Sequence, residues 1–357
     1  MRVKLSDITQ YSKGVQINGD ELVDNGDYIY LNGGINPSGR WTESNVGANT
    51  VTISEGGNSS GYINYITEPF WCGAHCYYLF NGPKNTKYLY YALKSQQDRL
   101  LAIRSGACMP NIKKSDLGKF EFEFDINEQK QNEIVATLSR VENVIACRKR
   151  ELELLDDLIK ARFVEMFGDS VSNEKGWKMN TFGDICTVRQ GLQIPISKRL
   201  TEYEEDSYEY ITVQYLHGGK EKEYIKSPKE SVKCTKDDIL MTRTGNTGMV
   251  VTNVEGVFHN NFFLIDFDRE RFEKDFLVEY LNLDLIQADI TRRAGTSTIP
   301  DLNHGEFYKI KVFEPPIDLQ KEFDEFKMQV DKSKVAVQKA LDETQTLFDS
   351  LMQEYFG

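Results

Sequence analysis

Side chains able to read a base edge recur in this sequence at turns rich in glycine and asparagine. In the first half, the loop Asn36-Pro37-Ser38-Gly39-Arg40-Trp41 and the turn Asn58-Ser59-Ser60 present Arg40, Trp41, Asn58 and Ser59, and the basic pair Lys113-Lys114 follows. In the second half the candidates are Arg189, Gln190, Gln193, Lys198, Arg199, Gln214, His217, Lys220, Arg243 and Asn246, with the pair Arg292-Arg293. Arginine and lysine donate to guanine O6 and N7, while asparagine and glutamine bond adenine N6 and N7. Each good pair is worth about 1–3 kcal/mol of discrimination. For any one basic pair a solvated surface is the competing reading. The Gly57-Asn58 and Gly245-Asn246 turns could equally serve only to reverse the chain, since glycine and asparagine accept positive φ.

Catalytic motifs are absent. No Gly-x4-Gly-Lys-Ser/Thr loop is present to cradle a nucleotide phosphate. No Asn-Pro-Pro-aromatic tetrapeptide occurs either; Glu314-Pro315-Pro316-Ile317 has the prolines without the asparagine that would hold a target amine. Four histidines without a matched nucleophile make no triad. Cys72, His75 and Cys76 cluster, but the nearest further ligand, Cys108, stands alone. A core strand rich in Trp71, Tyr77, Tyr78 and Phe80 is therefore expected there, with no metal.

The net charge of -12 over 357 residues argues at first against nucleic acid. Its distribution softens that conclusion: the acid excess lies mainly in the second half, including the run from Glu202 to Glu209, while the basic pairs sit in loops. Phosphate is neutralised by a local face, so such a chain can bind DNA, weakly without basic partners. The length suits two folded units. No apolar run approaches a membrane span, and Met1-Arg2-Val3-Lys4-Leu5-Ser6-Asp7 lacks the apolar stretch of a signal peptide, so a cytoplasmic location with no membrane partner is expected. Six cysteines in so long a chain suggest reduced, mostly buried thiols.

The elements that must position these side chains are written twice. Ser6-Asp7-Ile8 followed by Gly14-Val15-Gln16-Ile17 returns as Gly183-Asp184-Ile185 followed by Gly191-Leu192-Gln193-Ile194 at the same internal spacing. Ile53-Ser54-Glu55-Gly56-Gly57-Asn58-Ser59-Ser60-Gly61 has its counterpart in Met241-Thr242-Arg243-Thr244-Gly245-Asn246-Thr247-Gly248. Met109-Pro110-Asn111-Ile112 matches Ile299-Pro300-Asp301-Leu302. Each block leads into a long amphipathic helix, one ending Glu165-Met166-Phe167-Gly168 and the other Glu354-Tyr355-Phe356-Gly357. From Ile134, the positions Leu138, Val141, Ile145, Leu152, Leu155, Ile159 and Met166 keep heptad steps, interrupted by Arg148 and Arg162. Leu319, Phe323, Phe326, Val330, Val337, Ala340, Leu347 and Leu351 do the same, interrupted by Ser333 and Thr344. A helix of about 40 residues runs roughly 60 Å, too long to bury its stripe on one domain, which points to a similar helix as its partner.

Three texts also carry a family resemblance. Gly295-Thr296-Ser297-Thr298-Ile299-Pro300-Asp301-Leu302, then Lys309-Ile310-Lys311-Val312, then Pro315-Pro316-Ile317-Asp318-Leu319-Gln320-Lys321-Glu322-Phe323 resembles the junction of a recognition domain with its helix in specificity subunits of type I restriction-modification systems. The first copy is similar, with Phe124-Asp125 where that family shows prolines. Asp237 to Gly248, and Leu31 to Ile35 with Gly56-Gly57-Asn58, resemble the family too.

The resemblance implies an α+β architecture. Two mixed α/β target-recognition domains (1–125 and 169–316) would be joined by two long antiparallel helices (126–168 and 317–357) forming an intramolecular coiled coil, with a pseudo-twofold internal repeat. It implies a non-catalytic subunit whose domains each read half of a bipartite site in double-stranded DNA, while the helices set the spacer. Its implied partners are two methyltransferase subunits and two restriction/motor subunits. S-adenosylmethionine, ATP and Mg would belong to those partners, leaving no cofactor here. A coiled-coil protein-binding adaptor without a DNA role is the alternative, and an unrecognised nuclease centre a weaker third.

Overall fold

The computed structural model describes residues 1–106, 109–169, 173–216, 218, 221–295 and 300–357. His217, Lys220, Cys108 and positions 296–299 of the junction text lie outside the described residues. The chain divides into two units, one of residues 1–150 with 338–357 and the other of residues 151–337.

Both units are built on one plan. In the first, an antiparallel sheet orders its strands Gln10–Lys13, Cys76–Phe80, Thr50–Ser54, Ile63–Ile66; in the second the order is Cys186–Gln190, Phe262–Phe267, Ile239–Thr242, Val250–Val251. A smaller sheet pairs Tyr28–Leu31 parallel to Trp71–Cys72 and antiparallel to Gly39–Trp41. Its counterpart pairs Ser207–Ile211 parallel to Gly256–Phe258 and antiparallel to Tyr224–Lys226, and adds Lys233–Cys234 at the edge. A two-stranded ribbon closes each unit, Arg2–Lys4 with Glu121–Glu123 and Lys178–Thr181 with Lys311–Glu314. Mainly antiparallel sheets, with helices packed against the large sheet of each unit, make an α+β fold.

Strand periodicity explains the layers. Ile239 and Met241 face the helix Lys274–Asn282 through Phe276, Leu277 and Tyr280, while Leu240 between them joins Phe258, Phe262 and Leu264 on the other face. In the first unit Val51, Ile53 and Tyr77 meet Leu89, Ala92 and Leu93 of the helix Thr86–Lys94 in the same way. Trp71 to Phe80, expected as one strand, is two. Trp71–Cys72 belongs to the small sheet and Cys76–Phe80 to the large one. The break falls at Gly73, where a Cβ would collide with the Asn32 side chain.

The long helices are Glu128–Phe167 and Ile317–Phe356, each 40 residues. Asn127 starts the first by accepting from the Gln129 and Lys130 amides at 3.0 and 3.2 Å. Where prolines stiffen the second junction, Asp125 orders the first: its carboxylate accepts from the Asn127 amide at 3.0 Å and pairs with Lys130 at 2.9 Å. Gln131 and Gln320, both buried, tie each helix to the preceding strand through the carbonyls of Asp125 and Pro315. Gly168, at φ 84°, ends the first helix.

Within each unit the two helices run antiparallel. In the first, Ile134 and Leu138 share a core with Phe356, while Arg148, further along, reaches Ala340 and Thr344. In the second, Asp156 pairs with Lys334 and Arg162 with Glu322. The expected seam is largely the packed one, and it drifts at its end: Leu347 is 51% exposed while Leu341 is buried and Phe348 packs on the core. A straight helix of 3.6 residues per turn slips against a 3.5-residue repeat, and here the slip brings Phe348 onto Tyr91 at 6.3 Å. In the second unit Phe163 stacks on Phe276 at 5.5 Å and meets Phe323 edge-on at 5.3 Å. Truncating a fully buried phenylalanine such as Phe163 to alanine costs about 3–5 kcal/mol.

Candidate nucleic-acid interface

The turns that carry the candidates are held by a hydrogen-bond frame present in both units. Gly14 and Gly191 each follow the first strand of a large sheet and lie so close to the carbonyls of Cys72 and His259 that a Cβ on either would collide. Next along, the Val15 and Leu192 amides donate to Cys72 and Phe258 at 2.9 and 3.1 Å. A buried tyrosine then holds the chain. The Tyr30 hydroxyl receives the Ile17 amide at 3.3 Å, and the Tyr210 hydroxyl receives the Ile194 amide at 3.1 Å. The following turns reverse at positive φ, Gly57 at 76° and Gly245 at 85°.

On this frame several candidate side chains are occupied by the protein itself. Arg40 donates to the carbonyls of Gly26 and Asp27, and Trp41 meets Trp71 edge-on at 6.3 Å. Ser59 donates to the Gly33 carbonyl at 2.6 Å. Arg199 forms a pair with Glu223 at 2.9 Å, only 12% and 15% exposed, and lies over the Tyr210 ring. Gln190 donates to the carbonyls of Asn260 and Phe262. Arg292 and Arg293, in the last turn of Asp284–Ala294, both bind Asp289. Arg189 reaches the Ser231 carbonyl at 3.2 Å.

Other candidates are exposed. Asn58 sits at the tip of its turn, Lys113 and Lys114 open the short helix Lys114–Gly118, and Gln193, Lys198, Gln214 and Asn246 face solvent. Lys114 also lies over the Tyr11 ring at 5.7 Å. Within the second unit Arg243 and Gln190 are brought together at 3.2 Å, Asp301 grips the same guanidinium at 2.8 and 2.6 Å, and His304 lies 2.8 Å from the Gln190 carbonyl oxygen. The Arg243 contact holds the Asp301 carboxyl below its usual range, and burial together with the Arg243 charge lowers His304. In the first unit Arg40 and Trp41 belong to the small sheet, while Asn58 and Ser59 follow the large one.

Sequence reasoning missed Lys13 and Glu55, and weighed His75 only as a metal ligand beside Cys72 and Cys76. Lys13 pairs with Glu55, and His75 Nδ1 lies 3.6 Å from the same carboxylate. The repeat itself carried the signal, because it set Ser54-Glu55 against Thr242-Arg243. Among the described residues, no group of three or more histidines, cysteines or acids is placed to hold a metal. The Cys72 thiol donates to the Cys76 carbonyl at 3.4 Å, and the neighbouring Cys76 sulfur and burial push its pKa up. No helix among the described residues is long and apolar enough to cross a membrane.

Residues 1–156 and 174–344 match the model of the type I restriction modification DNA specificity domain, and the chain belongs to that family. It is a DNA sequence-recognition subunit and not a catalyst. It is 26% identical over 361 residues to a Mycoplasma genitalium protein described as a type I specificity subunit, covering 96% of this chain and 90% of that one. The specificity subunit of type I restriction enzyme MjaIX from Methanocaldococcus jannaschii is 27% identical over 151 residues, 38% of this chain and 34% of its own. The crystal structure of an S subunit from M. genitalium has the same fold. Its TM-score is 0.65 at 23% identity, covering 100% of this chain and 96% of that one.

Proposed function

We propose that each globular block reads one half of a bipartite site in double-stranded DNA and that the two long helices set the spacing between the halves. The functional divisions are 1–125 and 169–316 for reading, and 126–168 and 317–357 for spacing and for docking methyltransferase subunits. The observation that carries this reading is the frame built twice. The glycine wedge and the tyrosine clasp recur in both units, while the side chains at the turns differ, as an asymmetric site requires. The exposed side chains Asn58, Lys113, Lys114, Gln193, Lys198, Gln214 and Asn246 are assigned to DNA, and Arg199, Arg292 and Arg293 to support.

Two methyltransferase subunits and two motor-nuclease subunits complete the assembly in the cytoplasm. S-adenosylmethionine, ATP and Mg are held by those partners. Because the chain carries a net charge of -12, tight DNA binding calls for basic surface on those partners. The test is methyl transfer to DNA by the purified chain, alone and with its methyltransferase partner. Adenine methylation at a split site only in the mixture is the expected result. Methyl transfer by the chain alone, or no stable complex, overturns the assignment. A chain that forms a complex without any effect of DNA is the adaptor.

A further inference from the structure

At the end of the central strand of each large sheet, Glu55 and Arg243 are held by the same backbone bonds. The Glu55 amide donates to the His75 carbonyl at 2.8 Å, and its carbonyl accepts from Ile112 at 2.9 Å. The Arg243 amide donates to Asn261 at 2.7 Å, and its carbonyl accepts from Leu302 at 2.9 Å. The preceding residues, Ser54 and Thr242, sit opposite Cys76 and Phe262 and accept from Gly61 and Gly248 at 2.8 and 2.9 Å. Glu55 and Arg243 are thus one position of the repeat, and its charge is reversed between the copies.

Two neighbouring positions change with it. Lys13 and Gln190 each end the outer strand, opposite Tyr77 and Phe263. Asn111 and Asp301 each bridge to the residue after Glu55 or Arg243. Lys13, Glu55 and Asn111 in one copy therefore become Gln190, Arg243 and Asp301 in the other. In the first copy they line an open notch of about 540 Å³, into which the Gly57 turn brings no side chain. The Glu55 side chain is 15% exposed and that of Lys13 42%. In the second copy Asp301 and Gln190 occupy part of the Arg243 guanidinium, which has five N–H donors, and leave others over. The glycine wedge and tyrosine clasp repeat their residue types, whereas this trio keeps its place and exchanges its chemistry. A partly exposed ion pair stabilises a fold by only about 0–1 kcal/mol, so stability gives little reason for the exchange.

We propose that this trio is a base-reading position in both recognition units, a proposal that rests on the DNA-recognition role of the chain. In the first, Glu55, oriented by Lys13, accepts from an exocyclic amino group in the major groove, cytosine N4 or adenine N6. In the second, Arg243, held in plane by Asp301, donates to guanine O6 and N7. A carboxylate has no proton to give a guanine edge, and a guanidinium cannot accept from an amine. The two units therefore read bases of opposite hydrogen-bonding character here, an amino donor in the first and the guanine acceptors in the second.

The experiment compares the methylated motif in cells carrying the methyltransferase partner with wild type, Glu55→Ala, Glu55→Gln or Arg243→Ala, together with methyl transfer in vitro to oligonucleotides changed one base pair at a time. Glu55→Ala relaxes one position of the first half-site, losing on the order of tenfold or more in discrimination, and leaves the second half unchanged. Arg243→Ala does the reverse. Glu55→Gln, isosteric and with a donor added, moves or tightens the preference toward adenine. Should Glu55→Ala fail to fold, Glu55→Gln decides by the same readout. Glu55→Ala or Arg243→Ala variants that melt and assemble like wild type yet methylate the unchanged motif overturn the proposal, as does Glu55→Gln with discrimination between oligonucleotides unchanged, or an equal loss on every sequence, which marks a phosphate contact. A wild-type complex that methylates no split site overturns the recognition role itself, and this position with it.

Discussion

Arg148 and Thr344, one of the two polar interruptions in each helix seam, meet: the Arg148 guanidinium donates to the Thr344 hydroxyl and to the Ala340 carbonyl. A polar contact inside a largely apolar seam specifies register, because a slipped pairing would leave a half-buried donor without its partner. Thr344→Val is expected to cost about 1 kcal/mol, and Arg148→Met combined with it less than the sum of the two single changes. Denaturant titration of the four proteins measures the coupling. Additive losses would mean that the two side chains do not act as a pair.

The halves should be separable. Replacing residues 1–108 with those of a relative is expected to rewrite one half of the methylated motif and leave the other half alone. Sequencing of methylated host DNA reads the outcome. A swap that altered both halves would show joint reading.

The helices can be tested as a ruler. One heptad inserted in each long helix, near Arg150 and near Gln338 where the chain passes from one unit to the other, keeps the seam in step. Seven residues add roughly 10 Å. At about 3.4 Å per base pair, the spacer of the methylated motif should lengthen by about three pairs with both half-sites retained. An active variant that kept the original spacing would remove the helices from that role.

Asp324 should make stability depend on pH. Burial pushes its carboxyl up to about 7 from 3.8, Asp275 and Glu273 add to the shift, and Lys327 and Lys274 oppose it. Its Oδ1 is buried without a partner. The folded state therefore holds the proton more tightly than the unfolded chain. Its contribution is fully present below about pH 4 and is lost as pH rises through about 7. Glu279, also raised by burial, acts in the same direction. The melting temperature of Asp324→Asn should gain on wild type between pH 5 and pH 8, by thermal scans across that range. A difference that stays flat with pH would place the carboxyl in solvent.

Periodicity made the helices legible, and duplication made the order of elements legible, because both are local patterns repeated along the chain. The end of the second seam was not, since the preference for Leu341 and Phe348 over Leu347 arises where the helix meets Tyr91. Arg40 and Arg199 read as base-reading candidates in the sequence. Their partners, the Gly26 and Asp27 carbonyls and Glu223, come from neighbouring strands and loops that spacing does not reveal. Glu55 was visible opposite Arg243 in the repeat, but Lys13 and Asn111 reach it only through the folded sheet.

The glycine wedge and tyrosine clasp hold the backbone without help from the exposed side chains of Asn58 and Asn246 at the turn tips. Those tips can therefore accumulate substitutions under selection while the structural positions remain under constraint. Under the proposed function, a lineage carrying such a frame could change which sequences its host marks through a few codons, and one half could diverge while the other stays as it was. Recombination that carries a whole block across would move an intact reader between relatives. The evolutionary unit of this protein is then smaller than its gene.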